Sequence, residues 1–222
     1  MLIAEAKWFG REVRCMDPVA IFPMCNVGSA SEDYRRRIQP WIDDWIFRPA
    51  REKRLPVRHV DLADAQGVDI VGDLTDHGFL EKLSEMQFKS VFCSNLLEHV
   101  GNREEVCRTL TSIVCVGGYL FISCPFRFPF HPDPVDTLFR PDINELASMF
   151  PGTSIYRGEV VRCGTYADYI SRLKLIRMLL RTFVPLYKPH EWSQTARLLP
   201  WLLNNFQATC LILRKDAQVQ RE

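Results

Sequence analysis

Residues 20–32 read Ala20-Ile21-Phe22-Pro23-Met24-Cys25-Asn26-Val27-Gly28-Ser29-Ala30-Ser31-Glu32. An apolar run passes without a break into a glycine and then into polar, helix-starting residues. The pattern predicts a buried strand over Ala20–Val27, a tight turn at Gly28 that a Cβ would hinder, and a helix from about Ala30 to Ile38. Ser29 and Glu32 have the S-x-x-E spacing of a capping box. A helix that starts directly after a strand turns its free N–H groups toward that strand's end, where they attract a carboxylate or phosphate. An ordinary strand-to-helix turn has the same outline.

Outward from this point, short apolar runs alternate with amphipathic stretches, as in a mostly parallel sheet covered by helices on both faces. The first sixteen residues predict a leading helix or arm. Further strands are expected at Val57–Leu62, Val68–Val71, Ser90–Ser94, Tyr119–Cys124, Ser154–Arg162 and Ala208–Arg214. Helices are expected at Phe79–Met86, Arg103–Val114 and Asp142–Phe150, the last opened by Pro141. The Trp-rich segment Pro40–Phe47 continues or extends the first helix.

Acids stand at the ends of the second and third strands. Asp61, in His59-Val60-Asp61-Leu62, is placed to accept hydrogen bonds from two ribose hydroxyls. Asp73, in Val71-Gly72-Asp73-Leu74, is placed to accept from an adenine amino group. A solvated loop residue or a helix cap is the other role open to each. In an open parallel sheet, ligands bind beyond the carboxyl ends of the strands, where the strand order reverses.

These segments, together with SVFCSNLLEHV and VGGYLFISCPF, resemble the Rossmann-like S-adenosylmethionine-dependent methyltransferases in order over residues 21–126. The resemblance implies a seven-stranded, mostly parallel sheet with helices on both faces, a last strand that is antiparallel, and a helical insertion before it. It implies S-adenosylmethionine as cofactor. Gly28, with Asn26 and Ser29 beside it, would contact the methionine part, Asp61 and Leu62 the ribose region, and Asp73 and Leu74 the adenine. Asn95 would lie under the sulfonium. The sequence departs from the family pattern where Asn26 replaces an acid and Ala30 a second glycine, and the interval from Gly28 to Asp61 is long.

Methyl transfer is a direct displacement, so the protein mainly supplies orientation and a dry pocket. A hydroxyl acceptor gains from a general base, most often histidine. His99 follows the fourth strand beside the expected methyl position; fixing its loop by a hydrogen bond is the alternative. His131 lies in the stiff, proline-rich Pro125–Asp136 loop, placed as a base with an orienting carboxylate or as a structural residue. A metal set of His131, Asp133 and Asp136 lacks a clear further ligand, and no metal is expected.

Composition bounds the reading. The 222 residues suffice for one domain, with net charge +1 and 47% hydrophobic residues. That balance argues against a dedicated nucleic-acid binder. Cys25, Cys93, Cys124 and Cys210 sit in apolar runs, no CxxC pair occurs and no signal peptide is seen, which predicts a reducing, cytoplasmic setting. The chain reads as one domain, 1–222, with 164–206 a helical lid or insertion. Within it, Lys174, Arg177 and Arg181 share one face of a helix over Tyr169–Arg181 whose other face is leucine-rich, and a second apolar helix is expected at Ala196–Leu203. This insertion packs on the domain body, grips a greasy acceptor, rests peripherally on a membrane through 168–186, or forms a homodimer interface.

The expectation is therefore methyl transfer from S-adenosylmethionine to a small-molecule, glycan or lipid-linked acceptor. A silent cofactor-binding scaffold is the alternative. A nicotinamide oxidoreductase fits poorly, since its glycine fingerprint is incomplete.

Overall fold

The computed structural model describes residues 1–131, 135–183 and 198–217. Seven strands form one sheet: β1 (Met24–Val27), β2 (Val57–Asp61), β3 (Ile70–Val71), β4 (Phe88–Ser94), β5 (Val114–Arg127), β6 (Thr153–Arg162) and β7 (Gln207–Lys215). Their order is β3-β2-β1-β4-β5-β7-β6. β1 to β5 are parallel, whereas β7 runs antiparallel to both β5 and β6. β6 therefore points the same way as β1–β5, and Arg127 and Arg162 both pair with Gln207 at one edge. The carboxyl ends of six strands meet at that edge. The order reverses between β1 and β4, which is where such sheets open a crevice.

The central strands are apolar on both faces because both are covered. Val91, Cys93, Leu120, Ile122, Leu211 and Leu213 join one buried cluster, while Phe92, Phe121, Cys210 and Ile212 join the other. Alternation by one residue divides each strand between the two layers, so a continuous hydrophobic run results. Removing a fully buried ring such as Phe121 would cost about 3–5 kcal/mol. Cys25, Cys93, Cys124 and Cys210 lie in these layers as free thiols.

The helices are α1 (Ile3–Cys15), α2 (Pro18–Ile21), α3 (Pro40–Ile42), α4 (Arg48–Glu52), α5 (His77–Glu85), α6 (Arg103–Ser112), α7 (Ile143–Ser148), α8 (Tyr166–Tyr169) and α9 (Arg172–Phe183). α1 buries Trp8 and Phe9 under the sheet. It approaches residues 43–47 so closely that a Cβ on Gly10 would stand 2.5 Å from the Trp45 carbonyl oxygen.

Several local expectations are corrected. The first strand starts at Met24, because Pro18–Ile21 form a short helix whose cap, Asp17, accepts from Val19 N–H. Helical backbone runs over 32–38 and again over 40–52, with a break at Gln39. Residues 34–38 and 43–47 are π-type turns with α3 between them, and Pro40 removes an amide and crowds the preceding turn. Ser29 does not cap the first turn; Ser31 does, its Oγ accepting from Tyr34 N–H at 3.2 Å. Pro141 precedes the α7 cap, which is Asp142 in a capping box with Glu145. The helix expected over Tyr169–Arg181 is present as α9 but starts later, at Arg172, after the separate short helix α8. Of the helix expected over Ala196–Leu203, residues 196–197 lie outside the described residues, Leu198 is α-helical and Leu199–Leu202 form a 3-10 turn. No helix among the described residues is long and apolar enough to cross a membrane.

Candidate functional site

The turn after β1 is held from beneath. Gly28 has φ +65°, the left-handed region in which a side chain is strained. Arg35, 4% exposed, reaches back from the first helical turn and donates to the carbonyls of Ser29, Ala30 and Gly67. These bonds take up the loop's carbonyls. Ser29 N–H donates to the Val60 carbonyl, joining the turn to the end of β2. Ala30 also has a positive φ, 53°.

Asp61 ends β2 and accepts from Ala30 N–H at 2.8 Å through one oxygen and from Ala63 N–H at 3.0 Å through the other. Each carboxylate oxygen retains accepting capacity. Asp73 follows β3, and its Oδ1 accepts from the amide and hydroxyl of Thr75, which lowers its pKa. Asn26, 5% exposed, lies 2.9 Å from His59 Nδ1 through Nδ2. Burial and the nearby Arg35 charge hold the His59 pKa at about 4. The ring is neutral, so its Nδ1 accepts from Asn26 Nδ2 and leaves Oδ1 as the group Asn26 offers.

These residues meet in one cavity of about 590 Å³. Asn26, Gly28, Ser29, Asp61, Leu62, Asp73, Leu74 and Asn95 all line it, and so does His99. Ala30, Tyr34 and Phe47 line it too, so the Trp-rich segment contributes a wall that spacing alone did not reveal. A second chamber of about 300 Å³ shares Asn95, His99, Tyr34 and Met1 with the first and adds Glu5, Glu98, Phe128 and His131. His131 is thus in the neighbouring chamber rather than in the main cavity. Phe128 packs on Phe206, which stacks on Trp201 at 5.4 Å between centroids, forming an aromatic flank.

The chamber's acids are unusual. Glu5, from α1, is 1% exposed; its Oε1 accepts from Ser94 Oγ at 3.0 Å, Asn95 Nδ2 at 3.0 Å and Ser123 Oγ at 2.5 Å. The sequence reading missed it, although Glu5, Trp8, Phe9 and Glu12 fall at i, i+3, i+4 and i+7, placing an acid in a buried stripe. Glu98, also 1% exposed, has a pKa pushed up to about 7 by burial, with Glu5 adding to the rise. Its Oε2 has no hydrogen-bond partner.

Both histidines have fixed tautomers. His99 Nδ1 lies 2.5 Å from the Val135 carbonyl oxygen. His131 Nδ1 lies 3.1 Å from Asp136 Oδ2 and 3.4 Å from the Pro129 carbonyl oxygen. Burial would raise the Asp136 pKa, but hydrogen bonds from Arg140, Leu138 and His131 outweigh it and hold it at about 2. All these oxygens only accept, so each ring donates from Nδ1 and, when neutral, keeps a lone pair on Nε2. Asp136 is thus the carboxylate beside the His131 ring. Asp133 lies outside the described residues.

No protein-family model and no curated protein sequence matches this chain. Solved structures do. A candidate sarcosine dimethylglycine methyltransferase from Galdieria sulphuraria superposes with a TM-score of 0.60 at 9% identity, covering 96% of this chain and 85% of that one. The fold is that of the class I S-adenosylmethionine-dependent methyltransferases. Within this methyltransferase fold, the StiE O-MT (residues 961–1257) gives a TM-score of 0.51 at 10% identity, covering 95% of this chain and 74% of that one. The MccD protein gives 0.54 at 11% identity, with 96% of both chains covered. The seven-stranded order with β7 antiparallel is the feature that the methyltransferase fold requires, and it is present in full.

Proposed function

We propose that this chain transfers a methyl group from S-adenosylmethionine to a small-molecule, glycan or lipid-linked acceptor. The observation that carries the reading is the convergence of Gly28, Asp61, Asp73 and Asn95, from the ends of four strands, on one cavity. S-adenosylmethionine supplies an activated methyl group on its sulfonium sulfur. The chain's own residues bind and orient. Gly28 lets the backbone approach closely, Arg35 keeps the turn in shape, and Asp61 and Asp73 offer carboxylate oxygens to hydroxyl and amino groups. Asn26 offers an amide oxygen where the family carries an acid.

The second chamber is the acceptor's place in this reading. The Nε2 lone pairs of His99 and His131 are available to take a proton from a hydroxyl, and fixed tautomers spare them any reorganisation. Phe128 and its aromatic neighbours keep that side dry. The described part of the insertion that follows β6, α8 and α9, acts as a lid in this reading. On α9, Leu173, Ile176 and Leu180 are 68%, 51% and 59% exposed, an apolar stripe beside exposed Arg172, Lys174 and Arg177. The stripe supports a greasy acceptor or a peripheral membrane contact through 168–186.

Asn26 in place of an acid and Ala30, at φ 53°, in place of a glycine favour a second reading. This is a scaffold that binds the cofactor and leaves it unreacted. The deciding experiment is calorimetric binding of S-adenosylmethionine, followed by incubation of the labelled cofactor with fractionated extracts, lipid fraction included. Saturable binding with label transferred to an acceptor supports the enzyme. Binding without transfer supports the scaffold, and no binding overturns both.

A further inference from the structure

Glu98, His99 and His131 each bring a ligating atom into the second chamber, and those atoms all lie within 4.8 Å of one another. This is a different set from the one that sequence spacing offered. Asp136 is taken up by a two-point ion pair with Arg140, at 3.0 and 2.6 Å. It serves instead as a neighbour that orients His131.

Both rings are held in the way that metal-ligating histidines are held. An outer carbonyl or carboxylate engages Nδ1 and leaves Nε2 to the ligand, which fixes both tautomer and ring direction. Glu98 completes the set. Its carboxylate is almost wholly buried, and Oε2 lacks a donor among the protein's own groups. A buried carboxylate oxygen in that position calls for an electropositive partner.

We propose that Glu98, His99 and His131 bind a divalent transition-metal ion at the inner end of the second chamber. Two imidazoles with one carboxylate suit first-row transition ions such as Zn²⁺, Co²⁺ and Mn²⁺ better than Mg²⁺, which prefers an all-oxygen shell. Ligand atoms about 2.0–2.2 Å from one ion lie roughly 3–3.5 Å apart. From separations of up to 4.8 Å, side-chain rotations that close roughly 1.5 Å bring the three together. His99 and His131 side chains are 17% and 30% exposed, so an ion can reach them from the chamber.

Three protein ligands leave positions open for water or an incoming oxygen. Binding of the ion stands on these side chains alone. Its use rests on the methyl-transfer reading, in which open positions select acceptors that present an oxygen. With the ion in place, the two histidines would act as ligands, and an acceptor hydroxyl held at an open position of the ion would lose its proton to solvent water.

The test uses the full chain, stripped with chelator and dialysed, with no acceptor added. Cobalt, zinc and magnesium chlorides are titrated by calorimetry, and cobalt binding is followed by its visible absorption. The expected result is one Co²⁺ or Zn²⁺ per chain, with Mg²⁺ much weaker. Glu98→Gln and His131→Ala should each weaken Co²⁺ binding by about tenfold or more, with melting curves confirming that both variants fold. Absence of binding, or stoichiometric binding that survives both substitutions, overturns the site. S-adenosylhomocysteine is titrated in parallel. If it binds while Co²⁺ does not, only this inference fails; if Co²⁺ binds while it does not, only the methyl-transfer reading fails.

Discussion

The imidazole of His99 stands edge-on to that of His131, with centroids 5.2 Å apart and planes at 90°. One ring follows β4 and the other follows β5, and each hands its Nδ1 proton to an acceptor of its own. The pair occupies the wall between the two chambers, which separates what cofactor binding requires from what the acceptor requires.

His131→Ala should therefore split the two. His131 either takes the acceptor proton itself or holds the ion that acidifies it, and groups in such roles contribute about 10²–10⁴-fold to rate, so turnover should fall by about 100-fold or more. S-adenosylhomocysteine affinity should stay near the wild-type value, because His131 lies outside the larger cavity. Steady-state kinetics beside calorimetry measures both. Unchanged turnover removes His131 from the chemistry.

Asp61→Ala should weaken S-adenosylmethionine binding by about 10- to 100-fold, as expected for losing hydrogen bonds to a charged group worth about 1.5–3 kcal/mol. It should also lower the melting temperature, since the amides of Ala30 and Ala63 lose their acceptor. In the wild type, S-adenosylhomocysteine should raise that temperature. A variant that binds the cofactor as the wild type does would show that Asp61 only closes its loop.

Ala30→Gly should strengthen the site. Ala30 has φ 53°, where a Cβ costs roughly 1–2 kcal/mol, while glycine's extra freedom in the unfolded chain returns part of the gain. Net stabilisation of up to about 1 kcal/mol is expected, with equal or tighter cofactor binding. Urea unfolding checks the first; weaker binding in the variant would mean that the methyl group itself makes a needed contact.

His59 gives the fold a pH dependence of definite sign. Its pKa is about 4 in the folded chain, held there by burial and by Arg35, against 6.5 ordinarily. Between those values the unfolded chain binds a proton that the folded chain does not. The stability this shift contributes is complete above about pH 6.5 and is lost as pH falls toward about 4, by at most about 3 kcal/mol. His59→Gln should flatten that part of the profile. An identical slope in the variant would assign the effect to other groups.

Ile176→Glu, on the exposed face of α9, should reduce co-sedimentation with anionic phospholipid vesicles and leave S-adenosylhomocysteine binding intact. Equal sedimentation of both proteins, or none by either, would end the membrane role of this helix.

Much of this was legible because strands alternate by two and carry turn residues at their ends. Cys25-Asn26-Val27-Gly28, Asp61 and Asp73 sit where their spacing placed them, and Asn95, just after β4, supplies the opposite wall. The misreadings have physical causes. Asp17 and Pro18 start a short helix inside an apolar run that otherwise resembles strand. Pro40 divides a helical pattern into π-type turns, a distinction that side-chain periodicity does not encode. Arg35 belongs to the run Arg35-Arg36-Arg37 and looks like a solvated charge until three carbonyls are seen to surround it. Glu5 and Glu98 acquire meaning only when distant segments close over them, which no local pattern carries.

Glu5 has one more consequence. To swing α1 away from the sheet would leave Ser94, Asn95 and Ser123 without the acceptor they share, and would strip Glu5 Oε1 of its three donors at once. That helix is a hinge pin and not a door. Traffic into and out of the chambers has to pass on the far flank, where Phe128, Phe206 and Trp201 meet through ring contacts that part and re-form without stranding a charge.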